Sequence, residues 1–440
     1  MHTLRTAALA LALACAATAS SSAQPAGAFS AGVESAIQSV LPRMIAWRRD
    51  IHQHPELSYE EVRTSRLVAQ HLRALRMEVR TGVALTGVVG VLRGGRPGPV
   101  IALRADMDAL PVTEEVDLPF ASRARGTYNG QQVGIMHACG HDTHVAVLMA
   151  AAQVLAARRE EIAGTIIFVF QPSEEGAPPG GLGGARRMLA ENVFGDLEPE
   201  AMFGLHAWPG EAGTVTIIPG PFMAGSDRLS ISVTGSQTHG AQPHRGIDPI
   251  VVSAQIVQAL QTIPSRQMDV VNSPVIVTIG SIHGGVRYNI IPDSVQMEGT
   301  IRYLNPETRE DMYARIRRTV EHVAQSAGAA AEVTIANNAV PVVNPAAETA
   351  RARAALIAAL GERSVRGGAP AMVAEDFAFF QQEVPAVFFY YGVNPPGVPA
   401  EQAPPNHSPR FFVDESNLET ALRAMLAVTL DRVGPQSPGR

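Results

Sequence analysis

Cysteine is nearly absent from this chain of 440 residues: there are two, and the first, Cys15, falls in an N-terminal stretch that reads as removable. Without that stretch Cys139 stands alone, so no internal disulfide can form, and its thiol is a buried filler, a nucleophile or a metal ligand. The formal net charge is −6 and the basic residues are scattered, with no basic stripe and no acidic tail. Nucleic acid is therefore not an expected partner, and a small molecule is. Repeats and low-complexity tracts are missing from the mature chain, and no later segment reaches the roughly 20 apolar residues that cross a bilayer, so no stable membrane insertion is expected. What is present is an apolar fraction of 46%, enough for a sizeable core in one large domain or two ordinary ones.

The first residues, MHTLRTAALALALACAATASSSAQ, place Arg5 before an Ala/Leu run and end it at Ser21-Ser22-Ala23. Residues 1–23 read as a secretory signal peptide cleaved after about Ala23, and the protein is expected to be periplasmic or secreted. Cys15 follows Ala12-Leu13-Ala14, a poor lipoprotein box.

Val33 to Leu75 reads mostly helical, broken by HQHPELSYEE. VVGVLRG and VIALRADMDALP read as buried strands, with Pro97-Gly98-Pro99 in the turn between them. A helix from Thr143 to Arg158, the strand TIIFVFQP, a helix from Gly184 to Glu191 and the strand AMFGLHAW continue a β/α alternation, which implies a sheet covered by helices on both faces. After IIPGPFMAG the order changes to β-α-β-β-α-β: DRLSISVTG, Pro249 to Thr262, VIVTIGSIHGG, SVQMEGTIRYL, Glu307 to Ala327 and AEVTIA. The pattern predicts a first catalytic part over 29–220, an inserted domain over 221–336 and a second catalytic part over 337–434. That last part holds a helix from Ala347 to Leu360, the strand AVFFYYG and a helix from Glu415 to Val433. The Pro-rich VNPPGVPAEQAPPNH reads as an ordered loop at the active site.

The chemistry starts at GIMHACGHDTH. Cys139 and His141, one residue apart, can converge on one ion from an irregular turn but not from a helix, so the turn must precede the helix. The plainest reading of His137 and His144 is a capped helix start with surface imidazoles. FVFQPSEEG puts Glu174 and Glu175 at the C-terminal end of a buried strand, where open α/β sheets place ligands. FGLHAWP and PPNHSPRF add His206 at a strand end and His407 in a loop. A catalytic metal takes about three protein ligands and keeps a position open. Five candidates (Cys139, His141, Glu175, His206, His407) overfill one site and suit two divalent ions that share a ligand or a water. Glu174 is left as a carboxyl that binds no metal, placed as general base and then as proton donor to a leaving amine.

HQHPELSYEE, RADMDALP, HACGHDTH, QPSEEG, GLHAWP, AEDFAFF and NHSPRF occur in the order and rough spacing of the metal-dependent aminoacylase and carboxypeptidase family (peptidase family M20). The chain resembles the branch that contains hippurate hydrolase and the indole-3-acetyl-amino-acid hydrolases, from about residue 35 to 432. The resemblance implies a three-layer αβα catalytic domain with two metal ions and an inserted α+β, ferredoxin-like lid that mediates a homodimer. It implies ligand roles for Cys139, His141, Glu175, His206 and His407, the base role for Glu174, and a position for Asp106 that orients a metal-bound group. Asp108 reads as easily as a capped strand end. On the lid it makes His239 a candidate to steady an oxyanion, with Asn289 and Arg302 where the family holds the substrate's amide and carboxylate. Two departures stand out: Gly240-Ala241 after the lid histidine, and a long GAPPGGLGG after Glu175 that bears on acyl preference.

The expected reaction is metal-dependent hydrolysis of an N-acyl amino acid with a hydrophobic or aromatic acyl group, giving a carboxylic acid and a free amino acid. A dipeptidase or carboxypeptidase would use the same residues, a thiol hydrolase would use Cys139 as nucleophile, and an envelope metal- or ligand-binding protein would not need Glu174. Thiolate and imidazole ligands suit zinc, while availability often decides between zinc, manganese, cobalt and nickel.

Overall fold

The computed structural model describes residues 29–178 and 181–434, and the expected signal peptide lies outside them. An eight-stranded sheet runs in the order Glu78–Val83, Gly87–Arg93, Ala163–Gln171, Arg96–Asp106, Ala201–Trp208, Ala386–Gly392, Val215–Thr216, Val365–Arg366. Its four central strands, from Ala163–Gln171 to Ala386–Gly392, are parallel and end at the same edge, while Gly87–Arg93 and Val215–Thr216 join them antiparallel. Residues facing one side (Leu103, Phe168, Leu205, Phe389) pack under the helices Ala31–Gln53, His141–Ala156 and Leu418–Val433. Those facing the other (Ala102, Val169, Met202, Phe388) pack against Gly184–Ala190 and the short helical segment Asp376–Gln382.

The helix His141–Ala156 buries 14 of its 16 residues. A helix apolar all round belongs in the interior, and this one lies between the sheet and the two long helices. Pro97, Gly98 and Pro99 do not form the turn expected of them. The chain turns at Gly94-Gly95, and the three residues belong to the strand Arg96–Asp106, where the register shifts between Arg96 and Val100. A proline cannot donate to a ladder, and a shift leaves the ladder interrupted where the two prolines sit.

Residues 225–339 form a second sheet, entirely antiparallel, in the order Val275–Gly284, Ser294–Tyr303, Gly225–Thr234, Ala330–Ala339. With its two helices, Pro249–Thr262 and Arg309–Ser326, this is the ferredoxin-like arrangement. Alternation puts Leu229, Ile231 and Val233 on the helix side with Ile256, Leu260, Met312 and Ile316. The paired short strands Gly220–Met223 and Val342–Asn344 carry the chain out and back. The α/β sheet with an inserted α+β lid is the architecture that the sequence implied.

Candidate metal centre

The C-terminal edge of the parallel strands collects the candidate residues. His206 lies within Ala201–Trp208, Asp106 ends Arg96–Asp106, Glu174 and Glu175 follow Ala163–Gln171, and Cys139 with His141 opens the helix His141–Ala156. Gly140 makes that turn with φ +92°, and a Cβ there would lie 2.7 Å from Ala207 Cβ, so only glycine lets Cys139 approach the strand. Two buried carboxylates shape the turn before Glu174. Glu61 accepts the Ser173 N–H at 2.9 Å, and Asp108 accepts the N–H groups of Glu174 and Glu175, each at 3.0 Å. Ser173 itself is held at φ 55°, a strained position for a side chain and one that needs such support. Asp108 is thus more than a strand cap.

Cys139 Sγ lies 3.4 Å from His206 Nε2 and 3.3 Å from His407 Nε2. Glu175 Oε1 is 3.2 Å from His407 Nε2 and 3.9 Å from His141 Nε2. The ligating atoms of Cys139, His141 and His206 lie within 4.8 Å of one another, as do those of Cys139, Glu175 and His407. His141 gives its Nδ1 to the Asp108 carbonyl at 2.9 Å and His206 its Nδ1 to the Ala207 carbonyl at 2.7 Å, which fixes both Nε2 atoms toward the centre. His407, at φ 67°, is anchored by its own N–H to the Ala138 carbonyl at 2.7 Å.

His141 Nε2 is buried without a hydrogen-bond partner. That orphan nitrogen, a thiol, two further imidazoles and a carboxylate make two overlapping triads that share Cys139. Such a donor set fits two divalent cations, and the residues present therefore fit the expected group. Burial and the charges of Glu175 and Glu174 push the Cys139 thiol well up, the opposite of an activated nucleophile and the condition a cation would reverse.

His137 and His144 are not surface imidazoles: they are 2% and 1% exposed. The helix has no solvated face near its start, and His144 bridges Asp106 through Nδ1 and the Ala207 N–H through Nε2, so both its nitrogens are in use. Asp106 in turn bonds Arg104 and stands 3.8 Å from His141 Nε2, beside the candidate ligands.

Behind Glu174 is a cluster that sequence reasoning missed. The fully buried Arg104 bonds Asp106, Glu375 (2.8 Å), Asp376 (3.1 Å) and Gln171 (3.0 Å). Glu174 Oε1 accepts the Asp376 N–H at 3.3 Å. Burial first, then the charges of Glu375 and Glu175, raise the Glu174 carboxyl well above the usual carboxylate range, so it takes up a proton readily. The signal was present in IALRAD, where Arg104 and Asp106 fall on one face of an otherwise apolar strand.

The lid candidates are elsewhere. His239 is exposed and adjoins Asn289, whose carbonyl accepts the Gly240 N–H at 2.8 Å. Arg302 is half-buried on Ser294–Tyr303, and its guanidinium makes no hydrogen bond or close ion pair among the described residues; burial lowers its pKa, partly offset by the charge of Asp227. None of the three bonds a residue of the centre within this chain.

Residues 102–431 match the model of peptidase family M20/M25/M40. The chain is 40% identical to thermostable carboxypeptidase 1 of Saccharolobus solfataricus, over 90% of this chain and 97% of that one. It is 35% identical to the IAA-amino acid hydrolase ILR1-like 2 of Arabidopsis thaliana, over 88% and 84%. A solved structure from Bacillus subtilis, described as a dinuclear metal binding peptidase from the M20 family, superposes with a TM-score of 0.75 at 34% identity, covering 89% of this chain and 98% of that one.

Proposed function

The chain belongs to peptidase family M20/M25/M40, a hydrolase of amide or peptide bonds, and from that premise we propose that it cleaves N-acyl amino acids to a carboxylic acid and a free amino acid. The observation that carries this reading is the meeting of Cys139, His141, Glu175, His206 and His407 around one shared thiol, with the proton-accepting Glu174 beside them. Two divalent ions of zinc, manganese, cobalt or nickel held there would polarise the acyl carbonyl and lower the pKa of water. Glu174, backed by the Asp376 N–H, takes the proton of the attacking water on its carboxylate and returns it to the departing amine nitrogen. Arg302, a guanidinium without a partner, suits the carboxylate of the amino-acid half, and Asn289, whose Oδ1 is buried and unbonded, suits the amide. His239, exposed on the lid surface with its Nδ1 accepting the Ala241 N–H at 3.0 Å, would steady the oxyanion once it reaches the centre.

A hydrophobic or aromatic acyl group follows from the branch that the motifs resemble. The similarity to a carboxypeptidase favours a second reading, a dipeptidase or carboxypeptidase using the same residues. We further propose a homodimer through the lid. The edge strand Val275–Gly284 exposes Ile276 and Ile282, and the following loop exposes Val286 and Tyr288 almost completely, apolar surface that a solitary soluble chain rarely leaves bare. Export to the periplasm or beyond rests on the N-terminal sequence alone; among the described residues no helix is long and apolar enough to cross a membrane.

The test is release of free amino acid from a panel of hippurate-like N-acyl amino acids and of dipeptides, by metal-loaded and by chelated protein. The proposal expects metal-dependent release, faster from the acyl amino acids. Preference for dipeptides would establish the second reading, and no release from any member would refute both.

A further inference from the structure

Tyr390 belongs to the strand Ala386–Gly392, in parallel register with His206 of Ala201–Trp208. Paired residues rise from the same sheet face, and the two rings are 6.4 Å apart. The phenol is fixed on its flanks: it stacks on Trp208 at 4.4 Å and 11°, and packs against Phe222 at 4.3 Å. Tyr390 is only 4% exposed, yet its hydroxyl has no hydrogen-bond partner among the described residues. The next residue, Tyr391, points to the opposite face and shares a hydrogen bond with Thr143, so the strand has satisfied one tyrosine and left the other. An unpartnered buried hydroxyl costs stability, and phenylalanine would fill the same space without that cost.

The surroundings say what the hydroxyl faces. It is within electrostatic reach of Glu375 and Cys139, the cluster behind Glu174 and the shared thiol of the centre, and a phenolic hydroxyl can donate as well as accept. A group that arrives beside His206 and Cys139 with apolar surface and an oxygen able to accept would supply the partner it lacks. The substrate's carboxylate does not qualify, since Arg302 suits it, whereas an acyl carbonyl flanked by a hydrophobic group does.

We propose that the Tyr390 hydroxyl is a hydrogen-bond donor to the acyl carbonyl oxygen of the bound substrate, with the partly exposed Trp208 as the apolar wall for the acyl group. This deepens the amidohydrolase reading and rests on it for the identity of the acceptor. The bond strengthens as the carbonyl oxygen gains negative charge on attack, so its loss falls on turnover more than on binding.

Tyr390→Phe is the test, measured beside the wild type in three ways: thermal unfolding of the protein without added metal, affinity of the metal-loaded protein for benzohydroxamate, and turnover of the best N-acyl amino acid. The proposal expects an unchanged or higher Tm, benzohydroxamate binding weaker by about tenfold, and kcat lower by about tenfold or more with a smaller change in KM. A lower Tm would mean that the hydroxyl holds the fold, and binding within about twofold of wild type, or none to the wild type at all, would overturn the donor role. A wild type that binds benzohydroxamate through Tyr390 but hydrolyses no acyl amino acid would refute the amidohydrolase reading and leave the donor standing.

Discussion

The crevice at the strand ends and the lid opposite it handle polar groups in contrary ways. In the crevice Arg104, Asp106, Asp108, His141, His144 and Glu375 are all essentially inaccessible to water, and most are tied to partners far away in the chain. On the lid His239 is exposed and Arg302 lacks a partner, while Val286 and Tyr288 are 97% and 95% exposed. Buried ionic groups are expensive, and a chain retains them where geometry has to be fixed before the ligand arrives. On the proposed function, bond breaking would be built into the sheet in advance. Recognition on the lid would then wait for closure over the crevice or for a second copy of the chain.

Four substitutions sharpen or break this contrast. Glu174→Gln should lower kcat by about 10²–10⁴-fold while the fold holds, because it removes proton transfer and also relieves a carboxyl crowded by Glu375 and Glu175. Steady-state kinetics with a Tm on the same sample would show it. Arg104→Met leaves Glu375, Asp376 and Asp106 buried without their cation and should cost about 3–5 kcal/mol in urea unfolding. A cost below about 1 kcal/mol would mean that the crevice is not held by that cluster. Arg302→Gln should raise KM by about 10- to 100-fold, the worth of one charge-assisted hydrogen bond, with Tm unmoved. His239→Ala should lower kcat by about tenfold at most and shift unfolding by less than about 0.5 kcal/mol, as exposed sites do. If the lid variants unfolded as readily as Arg104→Met, the distinction between the two regions would be gone.

The elements legible in the sequence are those with a strong local period. The strands Ala201–Trp208 and Ala386–Gly392 and the helix Pro249–Thr262 fall where the pattern put them. Of the candidate residues, His206, Glu174 and Glu175 were legible because each sits near the end of an apolar strand, Cys139 and His141 because they flank a glycine at the start of a helix, and His407 only through its motif. Where the reading failed, the determinant was non-local. His144 looked like a surface residue because nothing near it announces Asp106 or the Ala207 N–H as partners. Arg104 finds its second carboxylate 271 positions away, and no spacing rule reaches that far. Pro97 and Pro99 signalled a turn by composition, while Gly94-Gly95 a few residues earlier made it. Tyr390 is hidden for a further reason: in AVFFYYG every residue is buried, and alternation alone does not say which face opens on the centre.

The most direct test of the central claim, that the convergence on Cys139 is a catalytic metal centre, is a metal titration of chelated protein with bound metal and turnover read on the same samples. The account predicts a folded, inactive protein that regains activity as the centre fills, up to two ions per chain. Activity in the metal-free protein, abolished by alkylating Cys139, would contradict it and make that thiol the nucleophile.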